Sequence, residues 1–291
     1  MKRSIIFLLI LIFLVLLTTS VWADRVEEVV EKSFLLQKTG SFSLNNVAGN
    51  IIVYSWDKEE AKMIATKSIS SWGIDDPEEL LDKIEIEIVS QPKNLKIHTR
   101  YPVFSWIKNA RVDYQLWIPE AASVRLESVS GAIQMEEHLN RVYAKTVSGS
   151  IKLNNIKGNV EVKTVSGQVS ARQIKGDIRA NSVSGSLIFR DSQGSLSFLH
   201  STSGRIEAEL TAIDKDASDM SLSTVSGSIN LYLPDDASFD LDISTVSGKI
   251  DTGFQVLVNS FDKRKLQGEV GGGGINIELK TVSGSISLGK L

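Results

Sequence analysis

A Ser-Gly pair returns along the second half of this chain at a nearly fixed step, and that repeat limits the folds available more than any other feature. The pairs end at Gly131, Gly149, Gly167, Gly185, Gly204, Gly227, Gly248 and Gly284. The first three steps are 18 residues each; the later ones are 19, 23, 21 and 36. Weaker copies lie midway, "IKGNVEV" at Gly158, "IKGDIRA" at Gly176 and "SQGSLSF" at Gly194. The unit is therefore nine residues, used twice per 18. Within it, apolar residues fall two, four and seven places after the glycine: Ile151, Leu153, Ile156; then Val160, Val162, Val165; then Val169, Ala171, Ile174; then Ile178, Ala180, Val183. Spacing of two is the strand period, and the intervening residues are mostly polar.

No Asn-Gly hairpin signal joins successive strands, and the units are too short to hold crossover helices. Units stacked in parallel, one rung on the next, satisfy their backbones and align like with like. The fold class expected is all-β, a parallel β-solenoid (β-helix) with 18-residue rungs, preceded by an N-terminal strand-rich cap. Six apolar side chains per rung are worth about 9–18 kcal/mol gross, against about 18–36 kcal/mol to order 18 residues of backbone. A rung is thus stable only within a stack.

The glycines are expected at corners needing positive φ, with the preceding serine bonding back to the turn. The Val two before each glycine is expected to point inward. The Thr or Ser three before it (Thr146, Thr164, Ser182, Ser201, Thr224, Thr245, Thr281) is expected to form an outward ladder of hydroxyls.

The chain has 291 residues. It opens with "MKR", the apolar run Ile5–Leu17 and "TTSVWA" before Asp24, the pattern of a secretory signal peptide over residues 1–23. The apolar run is shorter than the ~20 residues of a membrane span, so cleavage is preferred to an N-terminal membrane anchor, and no later segment is apolar enough to span. Removing Lys2 and Arg3 takes the formal charge from −3 to −5. With no dense basic run, nucleic acid is not an expected partner. Cysteine is absent, so neither disulfides nor a lipid-modified cysteine is available.

Residues 24–122 hold four of the five tryptophans, Trp56, Trp72, Trp106 and Trp117, and read as an N-terminal β cap region; the β-solenoid repeat domain takes 123–291. One short helix is expected at "DDPEELLDK", capped by Asp76 with Pro77 in its first turn.

The order "NVAGNIIVYSWD", "VDYQLWIPEAASVRLESVSGAIQ", repeated "TVSGSI" and "GEVGGGGINIELKTVSGSISL" resembles the bacterial DUF4097 family, described as candidate adhesins or β-strand repeat proteins. The resemblance runs from about Phe34 to Leu288. It implies a β-solenoid of the cell envelope, often behind a signal peptide or single anchor, and it carries over no catalytic residue.

Motifs for chemistry are sparse. His98, His138 and His200 are far apart and read as lone surface or edge histidines, with no metal-ligand spacing among them. "GEVGGGGINIEL" lacks the Asp of a calcium-binding nonapeptide, so its glycines read as a tight corner. No cofactor or metal is implied. A carbohydrate-active enzyme, a polysaccharide lyase or hydrolase on a β-helix, is the rival reading. It needs clustered Asp, Arg and Lys, whereas the outward charges are scattered singly. The binding candidate is "TRYPVFSWIKNAR", where Tyr101, Phe104 and Trp106 sit around Pro102. Loop aromatics favour recognition of protein or sugar, although aromatics of a small β cap are more often its core. The preferred function is a non-enzymatic, exported cell-envelope module, adhesin-like or scaffolding, in the periplasm or at the cell surface. Its expected partner is an envelope protein or glycan.

Overall fold

A computed structural model describes residues 25–70, 76–102, 110–214 and 217–291. The N-terminal part holds β1 (Arg25–Leu35), β2 (Ser41–Ala48), β3 (Ile51–Trp56) and β4 (Glu60–Ser70), then helix α1 (Pro77–Asp82). Next come β5 (Glu85–Gln91), β6 (Asn94–Arg100) and β7 (Arg111–Pro119). The repeats supply β8 (Ser123–Ser130), β9 (Ile133–His138), β10 (Val142–Thr146), β11 (Ile151–Lys157) and β12 (Val160–Thr164). They continue through β13 (Val169–Ser182), β14 (Leu187–Ser201), β15 (Ile206–Ala212), β16 (Met220–Ser226) and β17 (Ile229–Leu233). The chain ends with β18 (Phe239–Ser247), β19 (Ile250–Thr252), β20 (Leu257–Asp262), β21 (Lys265–Val270), β22 (Ile275–Ser283) and β23 (Ile286–Lys290). The described chain is thus all-β apart from α1, whose first turn Asp76 caps by accepting from the Glu79 amide at 3.0 Å.

The strands form two ladders. In the first, Val124, Val142, Val160 and Ile178 are successive parallel partners. In the second, Ile133, Ile151, Val169 and Leu187 are aligned likewise. Inward residues of both ladders, among them Ile151, Leu153, Ile156, Val160 and Val162, are buried in one continuous core. Each buried aliphatic side chain contributes about 1.5–3 kcal/mol.

Both ends depart from chain order. At the N-terminal end β2 and β3 pair directly with β8 and β9, across the expected cap boundary, while β6 and β7 stack outside them. Antiparallel β4 and β5 then flank that outer layer. At the other end the last strands slot inward: β22 lies between β16 and β18, and β23 between β17 and β19. The irregular step of 36 residues is the detour through the β20–β21 hairpin. Gly271, Gly272 and Gly273 turn the chain back with φ of +64°, +95° and +80°, a tight corner that glycine alone makes without strain.

The corners correct three expectations. First, the hydroxyls point inward. Asn46, Ser128, Thr146, Thr164, Ser182, Ser201, Thr224, Thr281 and Thr245 form a column at most 5% exposed, and the adjacent valines face outward. The physical reason is that the corner leaves polar backbone inside. The Gly167 amide donates to Thr164 Oγ1 at 2.9 Å and the Gly185 amide to Ser182 Oγ at 2.7 Å. Elsewhere the hydroxyl donates to a glycine carbonyl of the next layer, as Thr224 does to Gly204 and Thr281 to Gly227. Thr164→Val is therefore expected to cost about 1–3 kcal/mol, because a buried amide loses its acceptor. Val165→Thr is expected to stay within about 0.5 kcal/mol. Urea midpoints of the two variants check the pair, and equal losses would contradict the assignment.

Second, the repeat glycines Gly149, Gly167, Gly185, Gly204 and Gly227 do not have left-handed φ. They are small because layers touch there. A Cβ on Gly167 would lie 1.6 Å from the Gly149 carbonyl oxygen, and the same clash recurs at 1.8–2.2 Å for Gly149, Gly185, Gly204 and Gly227. The left-handed non-glycine residues sit instead at the opposite corner, at Glu137, Asn155, Gln173 and Asp191, with φ between +50° and +56°. The two nine-residue halves are therefore not equivalent.

Third, His138 is fully buried rather than at the surface. It occupies the inward slot that Ile156 fills one layer on.

Candidate interaction surface

The outward valines line up along the stack. Following the pairings, the order is Val47, Val129, Val147, Val165, Val183, Thr202, Val225, Val282 and Val246. Seven of the eight valines are 40–59% exposed. At the ladder spacing of about 4.8 Å, nine layers make a ridge about 38 Å long. The serines that follow them, from Ser130 to Ser283, are also exposed. This corner thus presents a row of methyl groups beside a row of hydroxyls. The backbone beneath is continuous: the amides of Ser148, Ser166, Ser184 and Ser203 donate to the carbonyls of Val129, Val147, Val165 and Val183.

Several of the charged outward residues pair with one another. Arg172 meets Asp191 at 2.6 Å, Arg190 meets Glu207 at 2.6 Å, Lys163 meets Glu161 at 2.7 Å, and Arg125 pairs with Glu127. Arg125 also lies over the Tyr143 ring, 3.9 Å from its centroid. Among the described residues no three His, Cys, Asp or Glu side chains converge as a metal site. Among them, too, no helix is long and apolar enough to cross a membrane.

Of the three loop aromatics, Phe104 and Trp106 lie outside the described residues. Tyr101 is partly buried against the core and donates to the Ala48 carbonyl at 3.0 Å. Desolvation pushes its phenol up to about 12. Its hydroxyl therefore ties residues 101–102 to the first glycine corner. A cleft of about 550 Å³ opens at that point, lined by Ala48, Asn50, Ala110, Arg25, Arg111 and Asp113, among others. Asp113 accepts from the Asn50 amide at 2.8 Å and holds Arg111 at 2.9 Å, while no ion pair engages Arg25 among the described residues. Sequence reasoning missed this cleft because its residues come from β1, β2, β4, β7 and β8, which no local pattern connects. His98 is exposed, and His200 Nδ1 meets Ser223 Oγ at 2.8 Å; neither approaches the cleft lining.

These features define an all-β protein of stacked strands whose outer surface carries paired charges, an apolar ridge and a polar cleft. The sequence model of the Toastrack DUF4097 family matches residues 74–289, and the chain belongs to that family. Solved structures similar to it include a candidate lipid-binding protein from Parabacteroides distasonis. That chain is 15% identical, with 90% of this chain and 96% of that one covered and a TM-score of 0.45. A candidate adhesin from Bacteroides fragilis is 9% identical over 91% and 97% of the two chains, with a TM-score of 0.40. A second candidate adhesin, from Parabacteroides distasonis, is 12% identical over 90% and 97%, also at 0.40. No curated protein sequence matches the chain.

Proposed function

We propose that this protein is a non-enzymatic, exported cell-envelope module. It is a parallel β-solenoid with 18-residue rungs that serves as an adhesin-like scaffold and carries its binding site at the N-terminal end. The observation that carries this reading is that outward basic residues along the ladders pair with acids at several layers: a catalytic face needs clustered, unneutralised acids and bases, whereas Arg172, Arg190 and Lys163 are each matched by an acid. The register of Val124, Val142, Val160 and Ile178 supports the rung length.

Tyr101, Phe104 and Trp106 form the recognition loop in this reading, and the cleft lined by Ala48 and Ala110, whose Ala48 carbonyl Tyr101 bonds, belongs to the same site. Two guanidinium groups with one carboxylate leave that cleft cationic, which suits an envelope glycan or protein segment bearing carboxylates. Signal cleavage before Asp24 would release the module to the periplasm or cell surface.

The test is retention of purified variants on envelope material. Trp106→Ala is expected to reduce retention at least tenfold while the circular dichroism spectrum is unchanged. Lys152→Glu, on an outward strand position, is expected to leave retention intact. The reverse pattern would move the binding surface to the face of the stack.

A further inference from the structure

The first ladder ends at both extremes on a strand with one unused edge. β20 pairs only with β21, and β5 only with β6, among the described residues. Every residue of β20 is exposed, with Leu257 at 71% and Phe261 at 73%. An exposed apolar edge strand is a template for another strand unless something covers it.

The directions of the two edges match. β18 runs with the parallel ladder; β21 reverses it, and β20 reverses again, so β20 runs with the ladder. β6 also runs with the ladder through β2, and β5 runs against it. A second copy displaced along the stack axis therefore presents β5 antiparallel to β20. Antiparallel pairs are the more stable kind.

The charges match as well. Lys263, Arg264 and Lys265, at the tip that follows β20, are exposed and in no ion pair among the described residues. Residues 76–91, which cover α1 and β5, carry six acids against the single Lys83. In antiparallel pairing the Glu85 end of β5 meets the Lys263–Arg264 end of β20. With Glu85 opposite Lys263, Val89 of β5, itself exposed, falls opposite Asn259 and diagonal to the exposed Leu257 and Phe261 on the same face.

We propose that copies of this chain associate head to tail, β20 of one molecule adding to the edge of β5 in the next. Such an interface is heterologous and does not close, so it builds linear chains of molecules rather than a dimer. Symmetric β20–β20 pairing, the competing arrangement, brings no acid to the Lys263–Lys265 tip.

The absence of cysteine makes the test direct. The full chain carrying Ser90→Cys and Ser260→Cys together, treated with a short bismaleimide, should give a ladder of covalent oligomers. Each single variant alone should stay monomeric, and a mixture of the two should give dimers only. Lys263→Glu with Arg264→Glu should reduce the ladder at least fivefold, and adding Glu85→Lys to that variant should restore it. The proposal is overturned if Ser260→Cys alone yields dimers, if the folded double-cysteine chain yields only monomer, or if the charge reversal changes nothing. Gln91→Cys with Asn259→Cys replaces the first pair should circular dichroism show that pair misfolded.

Discussion

Replacing Gly167 by alanine should destabilise the protein by about 4 kcal/mol or more, beyond the 1–3 kcal/mol of ordinary overpacking. The added Cβ would sit 1.6 Å from the Gly149 carbonyl oxygen, 2.6 Å from its carbon and 2.9 Å from Thr164 Oγ1. None of these atoms can yield cheaply. The carbonyl belongs to the next layer, and the ladder fixes layer spacing at about 4.8 Å. Moving the corner breaks the bonds from Ser166 to Val147 and from Ser184 to Val165, at 2.9 and 2.7 Å. Alanine should therefore be nearly as harmful as valine, since the clash begins at the first carbon. Gly272 supplies the contrast. It has φ of +95° but nothing within 4 Å of its Cβ position, so Gly272→Ala should cost only the left-handed penalty of about 1–2 kcal/mol. Urea midpoints of the three proteins decide it. A Gly167→Ala midpoint close to that of Gly272→Ala would show that conformation, not contact, selects the repeat glycines.

The repeat was legible because its strands obey a strict alternation, and the buried Ile151, Leu153, Val160 and Val162 follow it. The same alternation, carried two residues further, places Thr164 inside and Val165 outside. Hydrophobicity argued for the opposite assignment, because composition does not reveal that the corner holds an unpaired amide needing a hydroxyl. Thr202 was the available clue: a polar residue in the valine slot is tolerated where the slot faces water. The insertion of β22 and β23 between earlier layers was not legible, since sequence distance is silent on which edge a returning strand takes. Of the candidate site, sequence supplied Tyr101 but not Arg25, Arg111 or Asp113, which two strands far apart in sequence, β1 and β7, bring together. His138 was legible in principle, being 18 residues before the inward Ile156 and therefore in an inward slot.

That histidine should give the protein an acid-sensitive stability. His138 Nε2 lies 2.7 Å from the Ala122 carbonyl, which can only accept, so Nε2 carries the proton. Nδ1 then accepts from Ser55 Oγ at 3.0 Å. The neutral ring is fully satisfied, and burial opposes a second proton, lowering the pKa from 6.5 to about 4. A depressed folded-state value means that the unfolded chain binds the extra proton first. The contribution is therefore complete above pH 6.5 and is lost as pH falls from there to about 4, amounting to about 3 kcal/mol over that window. His138→Ile places in this layer the residue that Ile156 and Ile174 supply in the next two. At pH 7.5 the variant should be less stable by about 1–2 kcal/mol, because the Ala122 carbonyl loses its donor. It should nevertheless lose less on acidification, so that the two stabilities cross between pH 6 and about 4. Urea unfolding of both proteins at pH 7.5, 5.5 and 4.5 measures the difference directly, and subtraction removes the titration of every group the two share. Parallel losses in wild type and variant would mean that His138 takes up its proton without unfolding, against the burial and hydrogen bonding that hold it neutral.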